Sequence, residues 1–244
     1  MINIVIPMAG LGSRFALAGY NKPKPFIDVD GLPMIVRVIE NLKIDDVRFI
    51  LIARKEHLEL ENKLVEEIKK NYNAIFIGID KLTEGTACSV LFARKYFNND
   101  SPLLIANSDQ LVDMNIGEFV SDCAKRNLDG SILTFSDKEL NPKWSFAKIN
   151  SDSLVTEVQE KNPISSIATV GIYLFMNGAN FYDAAIEMIL NNDRTNNEFY
   201  TCPVYNYLIK NNARIGIFNI NPTCMHGLGT PEDLSNYLNK LRDE

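Results

Sequence analysis

The sequence predicts an α/β protein built on a doubly wound, mostly parallel sheet. The first observation is that apolar strand patterns and helix patterns alternate through the first half of the chain. The second is that the strand patterns are runs rich in Ile and Val, as expected for strands buried on both faces of a parallel sheet. From about residue 130 strands follow one another with no long helix between the middle ones. These observations predict a β-rich second half that extends the same sheet.

In the first half the elements follow in βα order. A helix begins at Pro33, because Pro suits the first turn of a helix. The helix at 55–70 carries Leu60, Leu64 and Ile68 at four-residue steps among many charges, which is typical of a surface helix. The other patterns are strands at 2–6, 47–53, 74–79 and 102–106 and a helix at 86–97. Repeated βα units imply right-handed crossovers and a doubly wound sheet.

In the second half the strand and helix patterns follow in a different order. Strand patterns lie at 131–135, 146–150, 154–159, 168–175 and 214–220, and helix patterns at 178–190, 200–211 and 231–241. The last helix begins with Pro231 at its first turn. No repeat, low-complexity segment or Gly/Ser linker interrupts the chain, so we expect residues 1–244 to form one domain.

Composition and charge exclude several classes of protein. Hydrophobic residues make up 46% and charged residues 23% of the 244 residues, which are ordinary values for a globular protein. The net charge of -6 argues against a nonspecific nucleic-acid binder. No stretch is apolar enough to span a bilayer, and the amino terminus lacks the basic start of a signal peptide. We therefore expect a reduced, cytoplasmic protein that binds neither nucleic acid nor a membrane.

The cysteine pattern is not that of a structural zinc site. The cysteines are scattered with no CxxC pair, and only His57 and His226 could serve as further ligands, which argues against zinc. The cysteines are Cys88, Cys123, Cys202 and Cys224.

The most informative segment is the glycine-bearing loop directly behind the first predicted strand. Gly10 and Gly12 let the backbone approach a ligand closely, so that consecutive N–H groups can point at phosphate oxygens. Arg14, Lys22 and Lys24 place three cations close to this loop. The loop lacks both the Lys-Ser/Thr ending of a P-loop and the Gly-x-Gly-x-x-Gly spacing of dinucleotide-binding proteins. We interpret it as a phosphate cradle; the alternative is a tight turn whose glycines serve packing only.

Asp109 follows a strand that should be central in the sheet. Ligands of open α/β sheets bind at the carboxyl ends of the strands, so Asp109 and the phosphate cradle can face one pocket. A carboxylate in that place is suited to hold Mg²⁺ against nucleotide phosphates. The alternative is an Asp that caps a turn.

Two further segments are candidates for binding. Lys161 follows Glu160 at a strand end, where it can bind a second phosphate as a mobile point charge. The alternative is that this pair is a solvated strand end. Glu84, Gly85 and Thr86 precede a helix, and the small residues there would let the backbone read the edge of a base. The alternative is an ordinary helix start with Thr86 near the cap.

In this order the segments resemble the sugar-phosphate nucleotidyltransferases, the family of glucose-1-phosphate thymidylyltransferase, over nearly the full chain. The glycine-rich loop with Arg14, followed by Lys24, matches the signature of that family. The resemblance implies a Rossmann-like three-layer α/β/α domain with a mixed, mostly parallel central sheet. It implies a nucleotide-binding half at 1–115, a sugar-phosphate-binding half at 116–244, and a nucleoside triphosphate and a phosphorylated sugar or polyol as the ligands.

The resemblance also implies a role for each candidate residue. Arg14, Lys24 and Lys161 are expected to be catalytic, and Asp109 is expected to bind Mg²⁺. The expected nucleotide-binding residues are Met8, Ala9, Gly10, Gly12, Ser13, Glu84, Gly85, Thr86 and Ser108. The expected substrate-binding residues are Ala147, Glu160, Gly171, Arg194 and Glu198.

One position departs from the family pattern. The family carries a Trp-x-Asp-x-Gly-Thr segment whose Asp is the second metal ligand, whereas this chain has Gly227 at that position. Either another group, such as Glu198 or Asp113, completes the metal shell, or one carboxylate suffices because phosphates and water supply the other ligands. His226 is interpreted as a pocket or packing residue, because imidazole matches Mg²⁺ poorly.

The implied reaction is attack of an acceptor phosphate on the α-phosphorus of a nucleoside triphosphate, with pyrophosphate leaving. Short chains of this type resemble cytidylyltransferases of capsule and lipopolysaccharide loci, so CTP and a role in surface polysaccharide synthesis are favoured. A phosphocholine acceptor is a second possibility, for which Trp144 and Phe146 would begin an aromatic cage. A glycosyltransferase, whose Asp-x-Asp spacing occurs at Asp28 and Asp30, and a noncatalytic nucleotide sensor are two competing functions. A homo-oligomer is left open by the sequence.

Overall fold

A computed structural model describes residues 1–243, so Glu244, the last residue of the predicted domain, lies outside the described residues. The first elements are β1 (Ile2–Pro7), α1 (Ser13–Leu17), β2 (Asp28–Val29), β3 (Leu32–Pro33), α2 (Met34–Asn41), β4 (Val47–Arg54), α3 (Lys55–Leu60), α4 (Asn62–Asn71), β5 (Ala74–Ile79), α5 (Thr86–Val90), α6 (Arg94–Phe97), β6 (Leu103–Ala106) and β7 (Gln110–Val112). They are followed by α7 (Ile116–Lys125), β8 (Gly130–Ser136), β9 (Ser145–Ile149), β10 (Val155–Glu160), β11 (Ile167–Phe175), α8 (Gly178–Leu190), α9 (Val204–Lys210), β12 (Ile215–Ile220), β13 (Met225–Gly227) and α10 (Pro231–Asp243). Short 3-10 turns lie at Lys24–Phe26, Leu91–Ala93 and Pro222–Cys224.

A nine-stranded sheet forms the middle of the molecule. Its main path runs β10-β9-β11-β6-β1-β4-β5, while β8 pairs with β11 and β12. The pairings of β10 and β11 are antiparallel, and the other strands of this sheet run in one direction. Since β1 and β6 are neighbours, the loops that follow them meet at the same edge of the sheet.

Helices cover both faces of the sheet. Successive residues of β1 point to opposite faces, so that Ile4 and Ile6 join one core and Val5 joins the other. The first core is closed by α2, α4, α7 and α10, and α7 contributes the fully buried Phe119. The second is closed by α5, α8 and α9, and α8 contributes the fully buried Phe181. The predicted three-layer α/β/α architecture with a mixed, mostly parallel sheet is confirmed.

Three predicted helices differ from the observed ones. The helix expected at 55–70 is broken at Glu61, whose φ of -108° and ψ of 32° lie outside the helical region, and Leu60 before the break is exposed rather than part of an apolar stripe. The helix expected at 86–97 tightens into a 3-10 turn in its middle. The helix expected from residue 200 begins at Val204, directly after Pro203, because a proline disfavours the helical conformation in the residue before it.

Two helices, α1 and α7, were not expected from the sequence pattern. The first turn of α7 is capped by Asn115, whose Oδ1 accepts a 2.8 Å hydrogen bond from the N–H of Gly117. Its buried residues Ile116, Phe119 and Cys123 have the three- and four-residue spacing of an amphipathic helix.

Along residues 1–243 no helix combines the length and the apolar character needed to cross a membrane. All four cysteines fall within this part of the chain, and each is a free thiol.

Candidate active site

The loop after β1 is held in a conformation that requires glycine. Gly12 has a φ of 60°, in the left-handed region, and stands at the amino end of α1. A Cβ on Gly12 would lie 3.0 Å from the Cβ of Lys24, so the two segments are in close contact. The ring of Phe15 is buried and anchors α1, whereas Arg14 remains exposed beside it. The loop and Lys24 therefore form one unit at the end of β1.

A cleft of about 560 Å³ opens at this edge of the sheet, which is the size of a small-molecule site. Most of the residues predicted to belong to the site line it. They are Met8, Gly10, Gly12, Ser13, Arg14, Lys24, Thr86, Ser108, Asp109, Glu160, Lys161 and Gly171. The loop after β1 and the segment after β6 are thus brought together as expected from the carboxyl-end rule.

Six predicted site residues do not line the cleft. Two are inside the fold: Ala9 packs into the core below the loop, and Ala147 has an exposed fraction of 0% within β9. The carbonyl oxygen of Ala147 is already engaged, because it accepts a 2.6 Å hydrogen bond from Ser165 Oγ. Gly85, with a φ of 129°, lies against the backbone of Phe199, where a Cβ would come within 2.3 Å of the carbonyl oxygen. Gly85 therefore packs against the backbone of residue Phe199 and does not line the cleft itself.

The other three are charged residues near the cleft. Glu84 and Arg194 form an ion pair with each other, and the Arg194 guanidinium carbon lies 4.0 Å from the centre of the Phe199 ring. Glu198 is exposed, and its backbone pairs with Thr195. A direct contact of these side chains with a substrate remains a prediction.

Lys24 and Asp109 form an ion pair inside the cleft. The Nζ atom of Lys24 donates to Oδ2 of Asp109, and the exposed fractions of the two side chains are 18% and 22%. The ammonium also lies 5.9 Å from the centre of the Phe15 ring. The Asp109 carboxylate is therefore turned toward a cation at the point where β6 ends.

The segment around Gly227 lies beside Asp109. Because β13 pairs with β7, the N–H of Leu228 donates a 2.7 Å hydrogen bond to the Asp109 carbonyl oxygen. A Cβ on Gly229 would lie 3.1 Å from Oδ2 of Asp109 and 3.8 Å from Oδ2 of Asp233. A second carboxylate thus stands close to the first, although Thr230 Oγ1 already donates to Asp233 at 2.7 Å in a helix cap.

The two carboxylates that the sequence suggested as replacements at Gly227 do not line the cleft. Asp113 is held by His226, whose Nε2 lies 2.7 Å from Oδ2 of Asp113, and by Lys240 at 3.7 Å. The ring of His226 also packs against Tyr237, at 5.4 Å between ring centres. His226 therefore serves packing and holds Asp113 outside the cleft.

The donor set fits Mg²⁺ bound together with a nucleotide. Among residues 1–243 no group of three or more His, Cys, Asp or Glu side chains is arranged to hold a metal alone. Mg²⁺ commonly takes one or two carboxylates and completes its octahedron with phosphate oxygens and water. Asp109 supplies such a carboxylate, and the Lys24 ammonium marks the place where it attracts a cation.

The opposite end of the cleft is built from β9, β10 and β11. Ser145 Oγ donates to Oε2 of Glu160, which is partly buried at the end of β10. Burial raises the pKa of the Glu160 carboxyl above its ordinary value, whereas the Ser145 hydrogen bond and the Lys161 charge act in the opposite direction. Thr169 Oγ1 and the Tyr173 hydroxyl, 3.1 Å apart, also face this end. It therefore offers a carboxylate and several hydroxyl groups to a polar ligand.

Two aromatic residues stand beside Lys161. Its Nζ donates a 2.5 Å hydrogen bond to the Tyr200 hydroxyl and lies 4.5 Å from the centre of that ring. Trp144 lines the cleft, and the Lys143 ammonium lies 4.5 Å from the centre of its ring. Phe146, in contrast, is fully buried and does not line the cleft. No sequence pattern indicated that Tyr200 or Ser145 belongs to the site, because contacts between distant parts of the chain bring them to the cleft.

Gly171 joins the two ends of the cleft. Its φ of 91° lies in the region that favours glycine, and a Cβ would fall 2.2 Å from Nδ2 of Asn107. Its carbonyl oxygen accepts a 3.0 Å hydrogen bond from the N–H of Asn107, next to Ser108. Only glycine lets β11 approach the end of β6 so closely.

Known proteins share this fold and this sequence pattern. The bifunctional protein GlmU of Methanococcus aeolicus is 27% identical over 180 residues, which are 72% of this chain and 40% of that protein. This chain therefore spans two fifths of the length of that relative. The nucleoside-diphosphate-sugar pyrophosphorylase of Vibrio cholerae RC9 superposes with a TM-score of 0.80 and 25% identity, covering 97% of this chain and 99% of that one.

A more distant structure shares the fold alone. The inositol-1-phosphate CTP transferase of T. maritima superposes with a TM-score of 0.76 at 15% identity and covers 98% of this chain and 94% of that one. The sequence model of the family described as nucleotidyl transferase matches residues 4–220, which is most of the chain. This protein therefore belongs to the nucleotidyl transferase family.

Proposed function

We propose that this protein joins a nucleoside triphosphate to the phosphate group of a sugar or polyol phosphate and releases pyrophosphate. The observation that carries the proposal is the single cleft that brings Arg14, the Lys24–Asp109 pair and Lys161 together. Cations at both ends of one cleft suit two phosphorylated ligands that must be brought together although both are anionic. Membership of the nucleotidyl transferase family supports the same reaction class.

In the proposed mechanism the acceptor phosphate displaces pyrophosphate directly at the α-phosphorus, without a protein nucleophile. Arg14 and Lys24 bind the triphosphate, and Lys161 holds the attacking phosphate in line. Mg²⁺ bound by Asp109 would neutralise phosphate charge when the nucleotide is present. The protein's contribution is positioning and charge neutralisation, as in other phosphoryl-transfer enzymes.

The base and the biological role belong to the same proposal. We favour CTP as the nucleoside triphosphate and a nucleotide-activated sugar for surface polysaccharides as the product. We propose that the protein acts in the cytoplasm. The likeness to cytidylyltransferases of capsule and lipopolysaccharide loci supports this choice. The fold shared with the inositol-1-phosphate CTP transferase is compatible with it.

A phosphocholine-type acceptor is the second candidate. Tyr200 and Trp144 both line the cleft, and each ring has a lysine ammonium 4.5 Å from its centre. Their faces are therefore suited to a cation, and the Glu160 carboxylate would add an opposite charge. Phe146, which the sequence suggested as part of the cage, does not contribute because it is buried outside the cleft.

A glycosyltransferase function finds no support in the cleft. The Asp-x-Asp spacing falls in the hairpin formed by β2 and β3, where Asp28 Oδ1 accepts a 3.1 Å hydrogen bond from the N–H of Gly31. Asp30 is paired with Arg37 at 3.0 Å. Neither carboxylate lines the cleft.

A substrate panel tests the proposal. Pyrophosphate release is measured for each common nucleoside triphosphate with Mg²⁺, against sugar phosphates, polyol phosphates and phosphocholine. We expect release with CTP and a sugar or polyol phosphate, and none when the acceptor is omitted. Release only with phosphocholine would select the second candidate. If the protein binds nucleotide but releases no pyrophosphate with any pair in the panel, a noncatalytic nucleotide sensor would be favoured.

A further inference from the structure

Lys161 is held in an unusual conformation at the acceptor end of the cleft. Its φ of 55° lies in the left-handed region, which non-glycine residues adopt rarely. Its N–H donates a 3.0 Å hydrogen bond to the Trp144 carbonyl oxygen, which fixes the backbone. The flexible side chain is fixed separately, because Nζ donates to the Tyr200 hydroxyl at 2.5 Å and lies 4.5 Å from the centre of that ring. The Tyr200 contacts therefore select one orientation of a long, mobile lysine.

Tyr200 is itself held by its neighbours on both sides. The N–H of Phe199 donates to the Glu84 carbonyl oxygen at 2.7 Å, and the Phe199 carbonyl oxygen accepts from the N–H of Ala87 at 3.0 Å. On the other side, both the N–H and the hydroxyl of Thr201 contact Thr86 Oγ1 at 3.1 Å. Phe199 and Thr201 are 2% and 4% exposed. Residues 199–201 are thus hydrogen-bonded to residues 84–87, which include the segment predicted to read the edge of a base, Glu84 to Thr86.

Gly85 permits this attachment. Its φ of 129° and the 2.3 Å approach that a Cβ would make to the Phe199 carbonyl oxygen leave room for glycine only. The loop near the nucleotide end and the lysine near the acceptor end are therefore joined through one rigid segment. Gly85 therefore supports this connection without lining the cleft.

We propose that Tyr200 is a positioning residue that holds the Lys161 ammonium ready for the phosphate of the acceptor. The proposal rests on the proposed function, because it takes Lys161 as the acceptor-phosphate cation. The phenol oxygen accepts a charge-assisted hydrogen bond from this ammonium. The acceptor phosphate then meets a lysine whose side chain is already ordered.

The variant Tyr200→Phe tests this role, because it keeps the ring and removes only the hydroxyl. With the substrate pair that gives the fastest pyrophosphate release, we expect the KM for the acceptor to rise about tenfold, the usual size for a lost charged hydrogen bond. The KM for the nucleoside triphosphate and the thermal unfolding midpoint should stay unchanged. Tyr207→Phe is the matched control, because it removes a 3.0 Å hydrogen bond to Asp193 away from the cleft.

A double-mutant cycle separates positioning from a general structural effect. In a Lys161→Met background, Tyr200→Phe should change the acceptor KM no further, because the partner of the hydroxyl is gone. An undiminished effect in that background, or an equal rise in both KM values, would overturn the proposal. So would a wild-type acceptor KM for Tyr200→Phe.

A second readout does not depend on turnover. In nuclear magnetic resonance of the lysine side-chain ammonium groups, the signal that disappears in Lys161→Met should be protected from solvent exchange in the wild type. Protection should be lost in Tyr200→Phe and kept in Tyr207→Phe. Persistence of the protected signal in Tyr200→Phe would refute the contact. If the contact is present but no substrate in the panel reacts, the proposed function fails, and the positioning role of Tyr200 toward an acceptor phosphate fails with it.

Discussion

Lys24→Ala should fold like the wild-type protein and react about a hundredfold more slowly. Lys24 is the cation that the fold places against both Gly12 of the loop and Asp109. Alanine keeps the Cβ that packs on Gly12, so the loop should retain its shape. Loss of one preorganised charge that stabilises a transition state costs about 3 kcal/mol, which is roughly a hundredfold in rate. The measurement is kcat/KM with the best substrate pair, together with the thermal unfolding midpoint.

A second readout of the same variant concerns the metal. The Lys24 ammonium and a divalent cation compete for the same Asp109 carboxylate, so Lys24→Ala should bind Mn²⁺ more tightly than the wild type without nucleotide. Electron paramagnetic resonance of free Mn²⁺ measures this directly. Lys22→Ala is the control, because Lys22 is exposed and does not line the cleft. Wild-type turnover in Lys24→Ala, or equal losses in both variants, would contradict the assignment of Lys24.

Asp109→Asn should produce a loss of at least similar size. Asparagine keeps the shape of the side chain and can still accept a hydrogen bond from Lys24, but it carries no charge for Mg²⁺. We expect kcat/KM to fall by about a hundredfold to a thousandfold, as when another preorganised electrostatic group is removed from an active site. Mn²⁺ binding in the presence of nucleotide should weaken in parallel.

Asp113→Asn provides the comparison for this variant. Asp113 was one of the carboxylates that the sequence suggested as a replacement for the ligand missing at Gly227, but His226 holds it outside the cleft. Its replacement should leave turnover and Mn²⁺ binding close to wild type. If Asp113→Asn impaired metal binding as strongly as Asp109→Asn, the metal would lie elsewhere than at the end of β6.

Residues next to strand ends were the predictable part of the site. Gly12 and Asp109 each follow a strand pattern closely, and the carboxyl-end rule places such positions in one cleft. Lys161 follows β10, which runs in the opposite direction, so the rule did not predict its place in the cleft. Ser145 and Tyr200 were not predictable in this way. Ser145 reaches the cleft through the pairing of β9 with β10, and Tyr200 is 39 residues away from the lysine it holds. Contacts of this kind depend on tertiary structure, which apolar patterns do not encode.

The fold was predictable where apolar patterns were long and regular. The break at Glu61 was missed because Leu60 and Leu64 continue a four-residue spacing across it, although Leu60 points to solvent. In contrast, α7 had a usable signal in the Asn115 cap and the apolar spacing behind it. The position of Gly227 illustrates the same limit, because only the structure places the Asp233 carboxylate near Asp109.

The fate of the α-phosphorus tests the central claim most directly. The wild-type protein is incubated with Mg²⁺, the acceptor phosphate found in the panel, and its nucleoside triphosphate radiolabelled at either the α- or the γ-phosphorus. Direct displacement at the α-phosphorus predicts that the α-label appears in a new phosphatase-resistant product and the γ-label in pyrophosphate, in equal amounts. Transfer of the γ-label to the acceptor, or release of the nucleotide as a diphosphate, would contradict the account.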